Sequence, residues 1–337
     1  MFGNLKSKKK APPPTPSSEE EGALRKHFSL LLLFRGGGRG VVAALTALAL
    51  AGTSAPAPER PAPERPAAPA NIAQSCAARD GWSDPAPPAH IHGHTWYVGT
   101  CGITVVLIET TAGLVLIDAG PAEAAPVVLA NIRALRFDPR QVKWILSTHE
   151  HFDHSGGIAA LQAATGARLA AGPFAAQALR SGKPYADDPQ LADLTTVVAP
   201  ARVSRVLRSG EALVLGGTRF TAHATPAHSS GSTSWTWGSC EDGTCLTIAD
   251  ADSVTARAAA GYRFSAHPRR VAAVRRGLAA VAALPCDLML TPHPAASNLF
   301  PRLTGQAPLA APSACRTYAA AAQTSFAALL AKERARP

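Results

Sequence analysis

The chain has 337 residues, of which 47% are hydrophobic and 17% charged, and its net charge is +10. This length suits one large domain or two ordinary ones. The charge does not indicate a nucleic-acid-binding protein, because the sequence has no basic stripe with interleaved aromatic residues. Residues 1–69 alone hold ten Lys/Arg against five Asp/Glu. We therefore expect no nucleic-acid partner.

The N-terminal region is typical of an export signal. Basic segments precede the apolar run Val41–Gly52, and Ala49-Leu50-Ala51 offers a cleavage site of the A-x-A type. Pro56–Arg65 then repeats a five-residue unit twice, which indicates an extended linker. We predict a leader over residues 1–55, a Pro-rich linker over 56–75 and one domain over 76–337. The mature protein would be periplasmic or secreted without a stable membrane span; an uncleaved anchor is the alternative.

Export places the six cysteines in an oxidising compartment, where an even set can be fully paired. Cys240 and Cys245 bracket the turn Glu-Asp-Gly-Thr, so we expect a local disulfide between them. The residues alone leave the other pairs open. No cysteines have Cys-x-x-Cys spacing, which argues against a zinc ribbon or a thiol redox site.

Strands and helices alternate along the domain. Thr95–Gly120 is rich in β-branched and aromatic residues and broken by glycine, which predicts a meander of strands. The chain then shows a helical pattern and a short apolar strand ending in Ser-Thr. After these come a helix closed by Gly166 and another strand. Strands return over 203–237 and 245–253, and the chain then gives a helix, a short strand and a final amphipathic helix. This order predicts an α/β protein with two sheets and helices outside them.

The stretch STHEHFDHSGG, residues 147–157, follows the short apolar strand directly. Its histidines and aspartate therefore lie on the loop after a strand, where α/β proteins commonly bind ligands. Imidazole and carboxylate ligands without a thiolate suit a catalytic zinc site that keeps one position open. A solvated surface loop is the plainer interpretation, but three histidines and an aspartate in six positions argue against it.

His-x-His-x-Asp-His after a strand resembles the signature of the metallo-β-lactamase superfamily. Further landmarks follow in the order typical of its subclass B3, over about residues 92–335. They are Asp118 in IDAG, His228 in TPAHSSGSTSWTW, Ser253 in ADS and His293 in LTPHP. The resemblance implies an αββα sandwich, in which two mixed sheets are flanked by helices.

The resemblance also implies six ligands for two zinc ions. The first ion would be held by His149, His151 and His228, and the second by Asp153, His154 and His293. These residues divide into two sets of three, so each ion keeps an open position.

Other roles follow from the same resemblance. Ser253 stands where the related B1 enzymes have a cysteine ligand, which leaves Ser253 and Thr255 to hydrogen-bond a substrate carboxylate. Asp118 would orient the ligand loop without binding metal. The implied disulfides are Cys76–Cys101, Cys240–Cys245 and Cys286–Cys315.

The implied activity is hydrolysis of the β-lactam amide of penicillins, cephalosporins and carbapenems. A zinc-bound hydroxide would attack the carbonyl carbon, since zinc lowers the pKa of its bound water to about 7. Asp153, His149, His151 and His228 are the predicted catalytic residues. We expect the enzyme to act on this small molecule as a monomer.

Two other functions fit the ligands. A lactonase or a glyoxalase II-like thioesterase would bridge its metals with an aspartate. Asp250 or Asp252 could be interpreted as that bridging residue. Ser253 and the paired cysteines favour the lactamase. A secreted, non-catalytic zinc-binding protein is the other possibility.

The loop around the third histidine departs from the family pattern, which is usually Gly-His-Thr-Pro-Gly. This chain has Ala227-His228-Ser229-Ser230-Gly231. The added methyl group and the lost proline predict a strained or mobile loop, which would lower the efficiency of the enzyme more than change its identity, because the ligand His228 is present. This loop is also the only feature that supports the non-catalytic interpretation. The alternative is that Ser229 and Ser230 replace the proline with local hydrogen bonds.

The segment HIHGHTW places His90, His92 and His94 on one face of an extended chain, so these residues could bind a metal. We prefer a flexible polar segment before the first strand, because no carboxylate or cysteine accompanies the histidines. The resemblance places this segment near the rim of the pocket.

Overall fold

Two sheets form the centre of the protein, in a computed structural model that describes residues 71–335. The predicted leader and residues 56–70 of the predicted linker lie outside the described residues. The first sheet consists of β1 (Ala89–His92), β2 (Thr95–Tyr97), β3 (Val106–Thr110), β4 (Gly113–Ile117), β5 (Val142–Leu146), β6 (Arg168–Ala171) and β7 (Val203–Val206), in that order. The second has the order β12-β11-β10-β9-β8 and consists of β8 (Ala212–Leu215), β9 (Thr218–Ala224), β10 (Thr233–Glu241), β11 (Thr244–Asp250) and β12 (Leu288–Leu290).

Both sheets are mixed. Strands β1 to β4 pair antiparallel, and β4 to β7 pair parallel. In the second sheet β8 to β11 pair antiparallel, and β12 pairs parallel to β11. The predicted class of two mixed sheets is therefore confirmed.

Side chains that alternate along each strand fill separate cores. On β3, Val106 and Ile108 face the second sheet and join a cluster with Trp235 and Phe220, whereas Leu107 packs on the outer side. Strands with both faces covered need apolar residues at nearly every position, which explains the continuous apolar run there.

Helices cover the two outer faces. The helices are α1 (Ile72–Ser75), α2 (Ala125–Ala134), α3 (Phe152–Ser155), α4 (Ile158–Thr165), α5 (Pro173–Ser181), α6 (Pro268–Ala282), α7 (Leu299–Leu303) and α8 (Ala314–Arg334). Residues of α2, α4 and α5 complete the outer core of the first sheet, and those of α6 and α8 complete that of the second. None of the helices within residues 71–335 has both the length and the apolar character needed to cross a membrane.

Three disulfides form among the described residues, and they are the pairs that the resemblance implies. They join Cys76 to Cys101, Cys240 to Cys245, and Cys286 to Cys315. Just before the first of them, Ile72 on α1 is buried in the core between the sheets. The folded part of the chain therefore includes residues 71–75, at the end of the predicted linker range.

Four strand ends determine where the site lies. Strands β4 and β5 are parallel neighbours in one sheet, and β11 and β12 are parallel neighbours in the other. The residues that follow these four strands include Asp118, His149, Asp252 and His293. All four ends lie at one edge of the sandwich, so side chains that are distant in the sequence meet there.

Candidate metal centre

The loop after β5 is held by its own polar residues. The hydroxyl of Ser147 donates to the carbonyl of His149, and the hydroxyl of Ser155 donates to the carbonyls of Glu150 and His151. Helix α3 begins directly after His151, so Asp153 and His154 lie on its single turn. This compact turn brings the side chains of the stretch to one side.

The first cluster joins this loop to the loop after β9. His149, His151 and His228 have one ring nitrogen each within 4.8 Å of the others. Nδ1 of His151 lies 3.2 Å from Nε2 of His228. Two ligands that each lie about 2.1 Å from a tetrahedral ion are about 3.4 Å apart, so this spacing suits zinc. Nε2 of His149 is buried and has no hydrogen-bond partner among the described residues, which leaves its lone pair for a cation.

The second cluster lies beside the first. Oδ2 of Asp153 is 3.2 Å from Nε2 of His154 and 3.5 Å from Nε2 of His293. The two Nε2 atoms are 3.3 Å apart. The structure therefore brings all six predicted ligands together in the two predicted sets of three.

In four of the ligand histidines, the ring nitrogen that points away from the cluster lies near an oxygen atom, which fixes the orientation of the ring. Nδ1 of His149 lies 2.9 Å from Oδ1 of Asp252, and Nε2 of His151 lies 2.8 Å from Oδ2 of Asp188. The remaining contacts are Nδ1 of His228 to the carbonyl of Thr255 at 2.8 Å and Nδ1 of His293 to the carbonyl of Gly102 at 3.2 Å. A ring whose one nitrogen donates in this way presents a lone pair on the other, as a metal ligand must.

Asp118 supports the ligand loop from behind. Its carboxylate accepts hydrogen bonds from the Thr148 amide at 2.8 Å and from the Thr148 hydroxyl at 2.6 Å. Oδ2 also lies 3.5 Å from Nδ1 of His154. Asp118 has a positive φ of 61°, a backbone conformation that costs energy in a residue other than glycine and is concentrated at functional sites. Its contacts are with the loop and with a ligand ring.

The protonation states of His228, His293 and Asp153 suit metal binding. Burial, together with the nearby His149 and His151, lowers the pKa of His228 to about 3. Burial and His154 lower the pKa of His293 to about 4. Burial alone would raise the pKa of Asp153, but His154 holds it well below its usual range. Neutral imidazoles and an anionic carboxylate are the forms that bind divalent cations.

The charges of the centre also fit a cation. Burial would lower the pKa of His154, yet Asp153 and Asp118 raise it well above its usual value. The buried carboxylates thus favour a positive charge beside this ring, which a divalent ion would supply. With nitrogen and oxygen donors in two sets of three, the residues fit two zinc ions.

The predicted substrate residues lie beside the first cluster. Ser253 is buried, and its hydroxyl has no hydrogen bond among the described residues. Thr255 is exposed, and its hydroxyl lies 3.0 Å from Nδ1 of His228. The serine hydroxyl is therefore free to bind a ligand, whereas the threonine hydroxyl already contacts a ligand ring.

Asp250 and Asp252 do not occupy a metal-bridging position. Asp252 contacts Nδ1 of His149, and Nδ1 and Nε2 lie on opposite edges of the ring, so its carboxylate faces away from a cation at Nε2. Burial, followed by the charges of Asp118 and Asp252, raises the pKa of Asp250 well above its usual value. The neutral form of the Asp250 carboxyl is therefore favoured, whereas a bridging metal ligand must be anionic, which argues against an aspartate-bridged centre.

The histidine-rich segment is not at the pocket rim, so that placement was wrong. In the antiparallel pairing of β2 with β3, Tyr97 lies opposite Val106, at the metal end, and Thr95 lies opposite Ile108, farther from it. The turn at Gly93 and His94 therefore lies at the other end of the sandwich.

Sequence reasoning missed two polar contacts of the first cluster. Asp188 hydrogen-bonds His151. In the other contact, the Nε2 atom of Gln190 lies 3.3 Å from the Nε2 atom of His228. Both residues come from the irregular segment after α5, and nothing in the pattern Tyr-Ala-Asp-Asp-Pro-Gln marks it as part of a site. Spacing along the chain cannot reveal such a contact, because 37 residues separate Asp188 from His151.

Comparisons with known proteins agree with this geometry. A profile of the metallo-β-lactamase superfamily matches residues 98–242. The metallo-β-lactamase MIM-1 from Novosphingobium pentaromativorans is 55% identical over 79% of this chain and 98% of its own, with a TM-score of 0.77. The metallo-β-lactamase MIM-2 is 46% identical over 78% of this chain and 97% of its own, with a TM-score of 0.73. MEM-A1, a subclass B3 metallo-β-lactamase from a soil metagenome library, is 40% identical over 76% of this chain and 100% of its own, with a TM-score of 0.73.

Proposed function

The chain belongs to the metallo-β-lactamase superfamily, with subclass B3 enzymes among its relatives, and from this premise we propose that it is a zinc-dependent β-lactam hydrolase. The observation that carries the proposal is the pair of adjacent three-ligand clusters with Ser253 beside them. Penicillins, cephalosporins and carbapenems share the amide that such a centre would open.

The proposed residues have distinct roles. His149, His151 and His228 hold the first zinc ion, and Asp153, His154 and His293 hold the second. When bound, the two ions would supply a water that ionises near neutral pH and a Lewis acid for the carbonyl oxygen and the leaving nitrogen. Asp188 and Asp252 fix the ring orientation of two histidines, and Asp118 fixes the loop that carries them.

The residues after β11 would orient the substrate. The hydroxyl of Ser253 would donate a hydrogen bond to the substrate carboxylate, since no protein group competes for it among the described residues. Thr255 would contribute through its hydroxyl once that group turns from His228. No serine would need to act as a nucleophile, because the bound ions would supply one.

Two further parts of the proposal concern location and assembly. Three disulfides support an oxidising compartment, in keeping with a protein exported to the periplasm or beyond. All six ligands come from one chain, so a monomer suffices for the site.

Turnover of a chromogenic cephalosporin by the purified mature protein tests the proposal. We expect hydrolysis that a chelator abolishes and added zinc restores, and that a serine-directed β-lactamase inhibitor leaves unchanged. Elemental analysis of the same sample should give two zinc ions for the six ligands. Hydrolysis of a lactone or a thioester without that of the cephalosporin would favour the rival hydrolase. Tight zinc binding without turnover of any of these substrates would favour a binding protein.

A further inference from the structure

Glu150 is a buried acidic residue that lies beside the metal centre without belonging to it. It stands between His149 and His151 in the sequence, is only 6% exposed and is in neither group of candidate ligands. Oε2 accepts a hydrogen bond from the hydroxyl of Ser229 at 3.1 Å, whereas Oε1 has no hydrogen-bond partner among the described residues. Because burying a carboxylate with so few donors costs free energy, its presence calls for a physical reason.

The hydrogen bond from Ser229 joins the two loops that supply the first set of ligands. Ser229 follows His228 directly, and 79 residues separate it from Glu150. Glu150 is fixed within its own loop, since its carbonyl accepts a hydrogen bond from the hydroxyl of Ser155 at 2.9 Å. The position of His228 relative to the other two ligands therefore depends on this contact.

Ser229 is held within its loop by Ser232. The amide of Ser229 donates to the hydroxyl oxygen of Ser232 at 3.1 Å, and the two hydroxyl oxygens are 3.2 Å apart. The single hydroxyl hydrogen of Ser229 goes to the carboxylate, so its oxygen accepts from the hydroxyl of Ser232. A change at Glu150 is therefore passed to the backbone of this turn, because the Ser229 hydroxyl is not free to rotate.

The same turn passes so close to Glu150 that position 231 has no room for a side chain. A Cβ atom on Gly231 would lie 2.1 Å from Oε2 of Glu150 and 2.7 Å from the amide nitrogen of Ala175. Gly231 does not have a positive φ, so the close approach, and not the backbone conformation, is the reason for glycine here. Ala175 is part of α5, and the turn is therefore held between a helix and the carboxylate.

We propose that Glu150 is a positioning residue for the first zinc ion and that it holds the loop of His228 at the distance that a shared ion requires. Nδ1 of His151 lies 3.2 Å from Nε2 of His228, close to the spacing of two ligands of one zinc ion. Ligands that protein contacts already hold in place need less reorganisation to bind the ion, so they bind it more tightly. This role rests on the proposed function, because that function assigns these histidines to one zinc ion.

The zinc affinities of the mature protein, measured by competition with a chromophoric chelator, test this role. Glu150→Ala should bind the first zinc about 10–100-fold more weakly than wild type, as for other groups that orient ligands, and should keep the affinity of the second. Glu150→Gln keeps an acceptor oxygen for Ser229, so its affinity should stay closer to that of wild type than to that of Glu150→Ala. The same comparison in the His293→Ala background, which keeps the first set whole, identifies the zinc that is weakened. Glu123→Ala is the matched control, because it removes an exposed carboxylate outside both sets.

A double-mutant cycle tests the hydrogen bond itself. Ser229→Ala removes the donor, so the variant that combines it with Glu150→Ala should lose less binding free energy than the two single variants together. Ser229→Thr keeps the hydroxyl and should stay near wild type. The visible absorption of the Co²⁺-substituted protein should also shift in Glu150→Ala, because this spectrum reports the geometry of the ligands and not the stability of the fold.

Three results would overturn the proposal. They are an unchanged first-zinc affinity in Glu150→Ala, additive losses in the double-mutant cycle, and an equal loss in Glu150→Gln and Glu150→Ala, which would assign the effect to the charge. A failure of the proposed function would look different: wild type would bind zinc tightly and Glu150→Ala would bind it more weakly, but neither would hydrolyse the cephalosporin.

Discussion

The two loops that bring His149, His151 and His228 together are stabilised in different ways. The loop of His149 and His151 combines distant support from Asp118 at Thr148 with local support from the hydroxyls of Ser147 and Ser155. The loop of His228 depends on residues far away in the chain. Local turns of this kind leave a pattern in the sequence, whereas distant support does not.

The distant support comes mainly from Arg270 on α6. Its guanidinium is buried and donates to three successive carbonyls, at 3.1 Å to Pro226, 2.9 Å to Ala227 and 2.9 Å to His228. This planar group satisfies three acceptors of a loop that has no regular secondary structure.

A second contact ties the two loops to each other. Oε2 of Glu150 accepts a hydrogen bond from the hydroxyl of Ser229 at 3.1 Å. Glu150 lies between the ligands His149 and His151 but points away from them, towards the loop of His228. The distance between the two loops is therefore set by protein contacts as well as by any shared ion.

Removing a ligand from the local loop should have the largest effect. Asp153→Ala removes the only anionic ligand of the second set and should lower cephalosporin turnover by more than about a hundredfold, because small displacements of reacting groups already cost that much. The protein should retain one zinc, since the first set of three histidines is intact. Elemental analysis and kcat/KM measure the two effects.

His293→Ala is the matched variant from the distant side of the second set. It should also lose one zinc and keep the other, although its ligand comes from the segment after β12. Loss of both ions in either variant would mean that the six ligands do not divide into two independent sets.

Much of the fold could be predicted from the sequence, because its strands and helices carry clear local signals. Helix α4 ends where Gly166 adopts a left-handed conformation with φ of 75°, as the position of that glycine predicts. Helix α5 was missed, because it follows β6 directly and its buried face consists mainly of alanines, which are a weak apolar signal in the sequence. The order of strands in the sheets depends on contacts between distant segments, and here it followed from the resemblance.

The six candidate ligands were also predicted from the sequence, partly from a local pattern and partly from the resemblance. Four lie in one short stretch, and His228 and His293 lie within motifs that the family resemblance supplies. Arg270 and Asp188 could not be predicted, because each acts on a loop that is distant in the sequence. Their types are common on protein surfaces, and only the fold shows that Arg270 is buried.

Weakening the distant support should have an intermediate effect. Arg270→Met leaves three loop carbonyls without their donor, and we expect zinc affinity at the first set to fall by about 10–100-fold, as for other groups that orient ligands. The second zinc should be retained more tightly than the first. Competition with a chromophoric chelator measures both affinities.

Two variants on the same helix sharpen this test. Arg270→Lys keeps the charge but cannot reach three carbonyls with a planar fork, so its zinc affinity should lie between those of wild type and Arg270→Met. Arg269→Met changes an exposed neighbour and should behave as wild type. Equal effects at positions 269 and 270 would show that the charge of the helix matters and that the hydrogen bonds to the loop do not.

The smallest effect should come from restoring the family residues in the loop of His228. Ala227 is buried against α6 and does not have a positive φ, so alanine fits its backbone without strain. The hydroxyl of Ser229 already bonds Glu150, and that of Ser230 donates to Asp187 at 3.2 Å. These contacts match the alternative in which serine hydrogen bonds replace the proline, and they argue against a strained or mobile loop.

The triple variant Ala227→Gly, Ser229→Thr and Ser230→Pro tests that conclusion. Threonine keeps the hydroxyl that bonds Glu150, whereas proline loses the contact with Asp187 and gains a fixed φ. X-to-Pro changes stabilise a protein by only about 0.4–1 kcal/mol even where the backbone fits, which corresponds to at most about fivefold, so we expect kcat/KM and zinc affinity within about fivefold of wild type. An increase of tenfold or more in either quantity would mean that the wild-type loop holds His228 away from its productive position. In that case Arg270 would be compensating for a loop that its own residues do not stabilise, and Arg270→Met should cost less in the triple variant than in wild type.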